Sequence, residues 1–196
     1  MTNQTDLENW RKDIKFNAKL NDIEFKFNTT WGIFSPTEID TGTNLLIKEL
    51  DFLKEDFQCL DIGCGYGPLG LYLAKKCPGG IIHMVDRDYI AVEYSKINAK
   101  KNLVNNTSIY LSNGFSEVPK DEKFDLIVCN IPAKIGRQLT ELILFDASSH
   151  LRPDGRIYLV GIIGLKEFIK TNLTKYFGNY KKVAMSQHYY IAYAVK

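Results

Sequence analysis

The sequence predicts an α/β fold. A mostly parallel β-sheet is covered by helices on both faces, closed by an antiparallel C-terminal hairpin and preceded by an N-terminal hairpin. Three observations predict it. From about residue 57 onward, short apolar runs alternate with longer segments of helical periodicity, as in successive βαβ units. The runs are continuously apolar, as in Leu126-Ile127-Val128-Cys129, which suits strands buried on both faces. The rhythm then breaks at residues 180–185 and 190–195, two strand-like segments whose connection is too short for a crossover helix, so they pair antiparallel.

The elements follow in order. Residues 14–20 and 23–28 alternate apolar and polar side chains around Asn21-Asp22, which reads as a hairpin. Residues 41–52 read as a helix packed on the main sheet, so residues 1–56 form an N-terminal extension and 57–196 the core of a single domain. In the core, 57–62 is a strand running into a glycine turn, and 68–76 is a helix with Pro68 suited to its first turn. A second strand over 81–86 leads to a helix over 89–102, with Ile90, Val92, Tyr94 and Ile97 as its apolar positions. Residues 108–111 and 124–129 are the third and fourth strands. A helix over 138–150 stops before Arg152-Pro153-Asp154-Gly155, a strong turn signal. A fifth strand over 156–163 and a helix over 165–177, ending at Gly178, complete the alternation.

Composition bounds the function classes. At 196 residues, 45% hydrophobic and 24% charged, the chain can bury the core of one ordinary globular domain. No apolar run approaches the ~18–20 residues that span a bilayer. The first 13 residues hold no signal-peptide apolar stretch, so a cytoplasmic protein without a membrane partner is expected. A net charge of +2 does not by itself argue for nucleic acid. Cys59, Cys64, Cys77 and Cys129 form no CxxC pair; they read as small apolar residues in a reducing compartment, and no metal site is expected. His83, His150 and His188 are isolated and read as structural.

The central chemical signal is Asp61-Ile62-Gly63-Cys64-Gly65-Tyr66-Gly67 at a strand-to-helix turn, where glycines let the backbone approach a ligand. Gly65 to Gly70 is also a literal GxGxxG, the pattern of nicotinamide and flavin sites, and a nicotinamide-binding Rossmann oxidoreductase is the competing class. Asp61 favours a different cofactor. A carboxylate just before the glycines attracts the cationic methionine end of S-adenosylmethionine and repels a pyrophosphate. Asp86 ends the next strand, where it can accept from both ribose hydroxyls, a device that nicotinamide sites share. Asn113, in Ser112-Asn113-Gly114-Phe115, can reach an adenine amino group or serve as a turn residue. Gly63, Gly65, Gly67, Asp61, Asp86 and Asn113 are therefore the candidate cofactor residues.

The most informative stretch is residues 124–133, FDLIVCNIPA. Asn130 closes a central strand, where a side chain points into the ligand crevice of an open sheet; Asn-x-Pro is also a plain strand terminator. With Asp61 to Gly67, Asp86, residues 112–116 and 124–136, the chain resembles the small-domain methyltransferases over roughly residues 30–196. Gly32-Ile33-Phe34-Ser35 and Asp40-Thr41-Gly42-Thr43 resemble the segment leading into that family's domain. Those proteins are similar to bacterial enzymes that methylate the exocyclic N2 of a guanine in small-subunit ribosomal RNA. The resemblance implies a Rossmann-like class I methyltransferase fold with a seven-stranded sheet, S-adenosylmethionine as cofactor and ribosomal RNA as substrate.

It also implies a catalytic Asn130-Ile131-Pro132, with Asn130 beside the cofactor. The family pattern is Asn-Pro-Pro-aromatic, and the chain departs from it at Ile131 and Ala133. Ile131 keeps the backbone carbonyl that, with the Asn side-chain oxygen, would accept the two N–H bonds of an amine. Ala133 offers no ring, a loss of ~1–3 kcal/mol for a stacked base, for which Phe34 or Trp31 would have to substitute. Lys134 and Arg137 read as a solvated loop, and the tyrosines 189, 190 and 193 as core or sheet surface. A protein glutamine amide poses the same lone-pair problem and is the alternative substrate, with a small-molecule amine as a third. Asn130→Asp, which keeps one acceptor oxygen, is expected to retain more activity than Asn130→Ala.

Overall fold

Along the fourth core strand, Leu126 and Val128 enter one apolar cluster while Ile127, Cys129 and Phe124 enter another, so both faces of the sheet are dry. A computed structural model shows this arrangement and describes residues 7–9, 12–50, 54, 57–132 and 135–196. The elements are β1 (Ile14–Leu20), β2 (Ile23–Thr29), α1 (Thr41–Lys48), β3 (Cys59–Ile62), α2 (Pro68–Lys76), β4 (Ile82–Asp86), α3 (Tyr89–Lys101) and β5 (Thr107–Leu111). Then follow β6 (Phe124–Asn130), α4 (Arg137–His150), β7 (Leu151–Ile162), a 3₁₀ turn (Ile163–Leu165), α5 (Lys166–Phe177), β8 (Lys181–Met185) and β9 (Tyr189–Val195).

β1 and β2 form a two-stranded antiparallel sheet, and the other seven strands form one sheet in the order β5-β4-β3-β6-β7-β9-β8. β3, β4, β5, β6 and β7 run parallel; β9 is inserted antiparallel between β7 and β8. The strand order reverses between β3 and β6, and ligands of open α/β sheets bind at the carboxyl ends beside such a switch point. The hairpin's Leu20, Phe25 and Phe27 are buried in one cluster with Leu46 of α1 and Leu71 and Tyr72 of α2. Ile143 and Leu144 of α4 and Leu173 of α5 cover the opposite face.

Three sequence expectations are corrected in detail. The helix expected over 41–52 ends at Lys48, where the Glu49 and Leu50 amides tighten onto the Leu46 and Ile47 carbonyls; residues 51–53 lie outside the described set. The helix expected over 138–150 does end at His150, but Arg152–Gly155 forms no turn between that helix and the next strand. β7 begins at Leu151, opposite Phe124, and resumes at Arg156, opposite Leu126, so these turn-forming residues loop out as a bulge within the strand. Asp154 sits there at φ 64°, and Arg152 bonds Asp125 of β6 at 2.6 Å. In α3, Ile90 and Ile97 are exposed; the buried face is Ala91, Val92, Ser95, Asn98 and Ala99. Two polar residues occupy that face because they bond the loop after β3. No helix among the described residues is long and apolar enough to cross a membrane.

Candidate active site

β3 delivers the glycine loop to the switch point. Gly63 and Gly65 have φ of 73° and 57°, a left-handed region that side chains rarely enter. A Cβ at either would meet no protein atom within 4 Å, so the loop turns bare backbone toward open space. The loop is fixed from below: the Gly63 and Cys64 amides donate to the Val85 carbonyl at 2.8 and 3.0 Å. Ser95 Oγ donates to the Gly65 carbonyl at 3.0 Å, and Asn98 Nδ2 donates to the Tyr66 carbonyl at 2.9 Å. Asn98 also exchanges bonds with both backbone groups of Asn28, at 2.7 and 2.8 Å, tying the loop to the hairpin.

Asp86, at the end of β4, accepts from the Gly65 amide at 2.9 Å on one oxygen and from the Asp88 amide at 2.9 Å on the other. A carboxylate has about four acceptor sites, so each oxygen keeps one for a ligand. Asp61 is buried, and its Oδ2 has no hydrogen-bond partner. Desolvation pushes its carboxyl up to about 7, the nearby Asp86 charge adds to this, and the Gly70 amide works against it. An unpaired buried carboxylate is costly unless something positive arrives to meet it.

On the other side of the switch point stands Asn130, at the end of β6. Its Nδ2 donates to Asp40 Oδ2 and to Thr43 Oγ1, both at 2.9 Å. Both amide protons are thereby used, which fixes the flip of the amide and leaves Oδ1 as a free acceptor among the described residues. Asp40 caps α1 by accepting from the Thr43 amide at 3.1 Å, and its other oxygen accepts from the Tyr189 hydroxyl at 2.7 Å. Burial and the Asp40 charge push the Tyr189 hydroxyl up to about 12, so it remains a donor at neutral pH. Gly42 permits this packing: a Cβ there would lie 2.8 Å from both the Asp40 carboxylate and the Tyr189 ring.

These groups line one cavity of about 360 Å³. Of the residues singled out from the sequence, Asp61, Gly63, Gly65, Asp86, Asn113, Asn130, Ile131 and Pro132 line it. Gly67 does not; it precedes α2 at φ 100°, and its Cβ position faces Met84 and Ser95. Ser112 pins the turn that carries Asn113, its hydroxyl bonding the Gly114 carbonyl and the Glu117 amide. Ala133 and Lys134 lie outside the described residues. Arg137 is exposed, with its guanidinium over the Phe168 ring. The three histidines stand away from the cavity lining; His83 bonds Tyr110 and packs edge-on to Phe124. All four cysteines are buried.

Sequence reasoning missed the support of Asn130. In the sequence, Asp40 and Thr43 stand out only within the resembling segment, and Tyr189 reads as core or sheet surface. Tyr190 is core and Tyr193 stacks on Tyr158, but Tyr189 lines the cavity. A helix-capping pattern, Asp-Thr-Gly-Thr, marks Asp40; nothing local marks Tyr189.

Comparison with known proteins agrees with this fold. A family model described as methyltransferase small domain matches residues 24–193. A Bacillus subtilis protein, the uncharacterized YbxB, is 37% identical over 142 residues, covering 72% of this chain and 71% of its own. A Haemophilus influenzae ribosomal RNA small subunit methyltransferase C is 34% identical over 170 residues, covering 84% of this chain and 49% of its own. The solved structure of a T. thermophilus 16S rRNA N2 G1207 methyltransferase, in complex with AdoMet and guanosine, superimposes with a TM-score of 0.85 at 26% identity. It covers 94% of this chain and 50% of that one. The chain thus spans about half the length of the ribosomal RNA methyltransferases it matches.

Proposed function

The chain belongs to the methyltransferase small domain family, and from that premise we propose that it methylates an exocyclic amine, the N2 of a guanine in ribosomal RNA, with S-adenosylmethionine as donor. The observation that carries the reading is the state of Asn130, which lines the cavity: both its amide protons are committed to Asp40 and Thr43, so its oxygen is what the amide has left to offer, as an acceptor.

The residues fit the cofactor. The orphaned Asp61 Oδ2 suits a cationic amino-acid end, the open Gly63 and Gly65 backbone suits close approach, and Asp86 retains acceptor capacity for ribose hydroxyls. When bound, S-adenosylmethionine supplies a methyl group on an electrophilic sulfonium. The protein's task is then to present a nitrogen in line with it, which needs positioning rather than a metal or a covalent nucleophile.

A guanine amine is a poor nucleophile because its lone pair is drawn into the ring. Asn130 Oδ1 accepts one of its N–H bonds and the Ile131 carbonyl accepts the second, which favours a tetrahedral nitrogen with its lone pair free. The Ile131 amide donates to the Val160 carbonyl at 2.8 Å, which supports this role by fixing the backbone that carries the acceptor. Because these acceptors grip harder as the nitrogen gains positive charge, they stabilise the transition state more than the ground state. The Asp40 and Thr43 bonds hold Asn130 in the required orientation beforehand, so little reorganisation accompanies reaction.

The test is methyl transfer from labelled cofactor to ribosomal particles, free ribosomal RNA and release-factor protein, followed by nucleoside analysis. N2-methylguanosine is the expected product. Label found only in protein would overturn the RNA assignment and favour the glutamine amide. Binding of a nicotinamide dinucleotide without binding of S-adenosylhomocysteine would overturn the methyl-transfer reading itself.

A further inference from the structure

We propose that Phe34 is the face on which the substrate base stacks. The inference rests on the RNA methyl-transfer reading and deepens it by assigning the recognition surface. A base must leave its helical stack to bring an exocyclic amine to Asn130, and it then needs a π-face to replace its neighbours. Ala133 carries no ring. Among the described residues three aromatic rings line the cavity: Tyr66, Tyr189 and Phe34.

Two of these are already engaged. Tyr66 is buried, packed edge-on against Phe16 and Phe27, with its hydroxyl donating to the Glu38 carbonyl at 3.0 Å. Tyr189 is tethered to Asp40, and its ring lies 2.8 Å from where a Gly42 Cβ would stand, so that edge is covered by backbone. Phe34 alone of the three is open, with 66% of its surface exposed. Leaving so large an apolar side chain in water forgoes the gain of burying it, which a bound base would recover.

The segment that carries Phe34 is fixed. Ile33 is buried in the core beside it, and Ser35 Oγ donates to the Glu38 carbonyl at 2.7 Å. Thr29 Oγ1 bonds the Pro36 carbonyl. Gly32 and Ser35 take left-handed φ of 96° and 49°, turning the chain on either side. The same segment runs on into Asp40, which holds Asn130, so the stacking face and the amine acceptor are placed by one stretch of backbone. Trp31 is also exposed but does not line the cavity.

The experiment compares Phe34→Ala, Phe34→Leu, Phe34→Tyr and Trp31→Ala with the parent. Single-turnover methylation of ribosomal RNA and calorimetric binding of guanosine in the presence of S-adenosylhomocysteine are the two readouts. Phe34→Ala and Phe34→Leu should each weaken guanosine binding and raise the RNA concentration for half-maximal rate by about tenfold or more, the size of a lost base–aromatic stack. Phe34→Tyr should restore most of both, Trp31→Ala should change neither, and S-adenosylhomocysteine affinity should stay parental in all four.

A Phe34→Leu protein equal to the parent would show that any apolar filler suffices and would overturn the stacking. So would a Phe34→Ala protein equal to the parent, or a loss confined to Trp31→Ala. A parent chain that methylates protein and no RNA would overturn the proposed substrate, a failure visible before any variant is made.

Discussion

Under the proposed methyl transfer, Asn130 is the residue at which geometry bears most directly on rate. Removing its oxygen in Asn130→Ala should slow single-turnover methylation by ~10²–10³, with S-adenosylhomocysteine affinity within a few-fold of the parent. Asn130→Asp changes meaning once its neighbours are known. The sequence alone suggests that a retained acceptor oxygen preserves some rate. A carboxylate there, however, would replace the donor that sits 2.9 Å from Asp40 Oδ2 and set two acids against each other. Asn130→Asp should therefore be no more active than Asn130→Ala at pH 8, as the same assay would show. Asp61 gives a pH signature. Its carboxyl is pushed up to about 7 from an ordinary 3.8, so between those values the folded chain holds more protons than the unfolded chain. Stability of the ligand-free protein should fall as pH rises through that window, by up to about 4 kcal/mol, and be level above it. Affinity for S-adenosylhomocysteine, whose ammonium favours the ionised carboxylate, should rise over the same window. Urea unfolding at pH 5 and 8, with calorimetry at both, should show both slopes in the parent and neither in Asp61→Asn.

At the scale of elements, α3 does more than cover the sheet. Its Asn98 holds the Tyr66 carbonyl of the glycine loop and both backbone groups of Asn28 in β2. Asn98→Ala strands those buried groups and should cost ~2–4 kcal/mol in urea unfolding, with a weaker hold on S-adenosylhomocysteine. How far the elements could be read from sequence follows from where their specification lies. β6 and α2 were legible because apolar runs, glycines and proline act locally. The β7 bulge was not, since Pro153, Asp154 and Gly155 satisfy a chain-reversing turn and a bulge equally well, and only pairing with β6 decides between them. The inward face of α3 is not legible because a polar residue can be buried when loop carbonyls await it, and those carbonyls lie about 30 residues away in the chain. Asn130 was legible as a strand-end polar residue; Tyr189, reached only through tertiary contact, was not.

For the whole molecule, the cavity joins both sides of the switch point, so ligand binding is linked to global unfolding. At a concentration one hundred times its dissociation constant, S-adenosylhomocysteine should add about 2.7 kcal/mol and raise the melting temperature by roughly 5–10 °C. A nicotinamide dinucleotide at the same concentration should produce no shift, a comparison that thermal denaturation makes directly. The bond from Tyr189 to Asp40 spans 149 positions of the chain, and the bond from Asn130 to Asp40 spans 90. The groups around Asp61 and Asp86, by contrast, lie within 21 to 30 positions of one another. Contacts between distant positions must bear a larger loop-closure cost before they form. Under the proposed methyl transfer, competence is therefore a late acquisition in the life of each molecule: a growing chain can shape its cofactor loop while Asp40, the support of Asn130, still lacks its bond from Tyr189 of the last strand. In stopped-flow refolding, restoration of S-adenosylhomocysteine binding should precede restoration of methyl transfer.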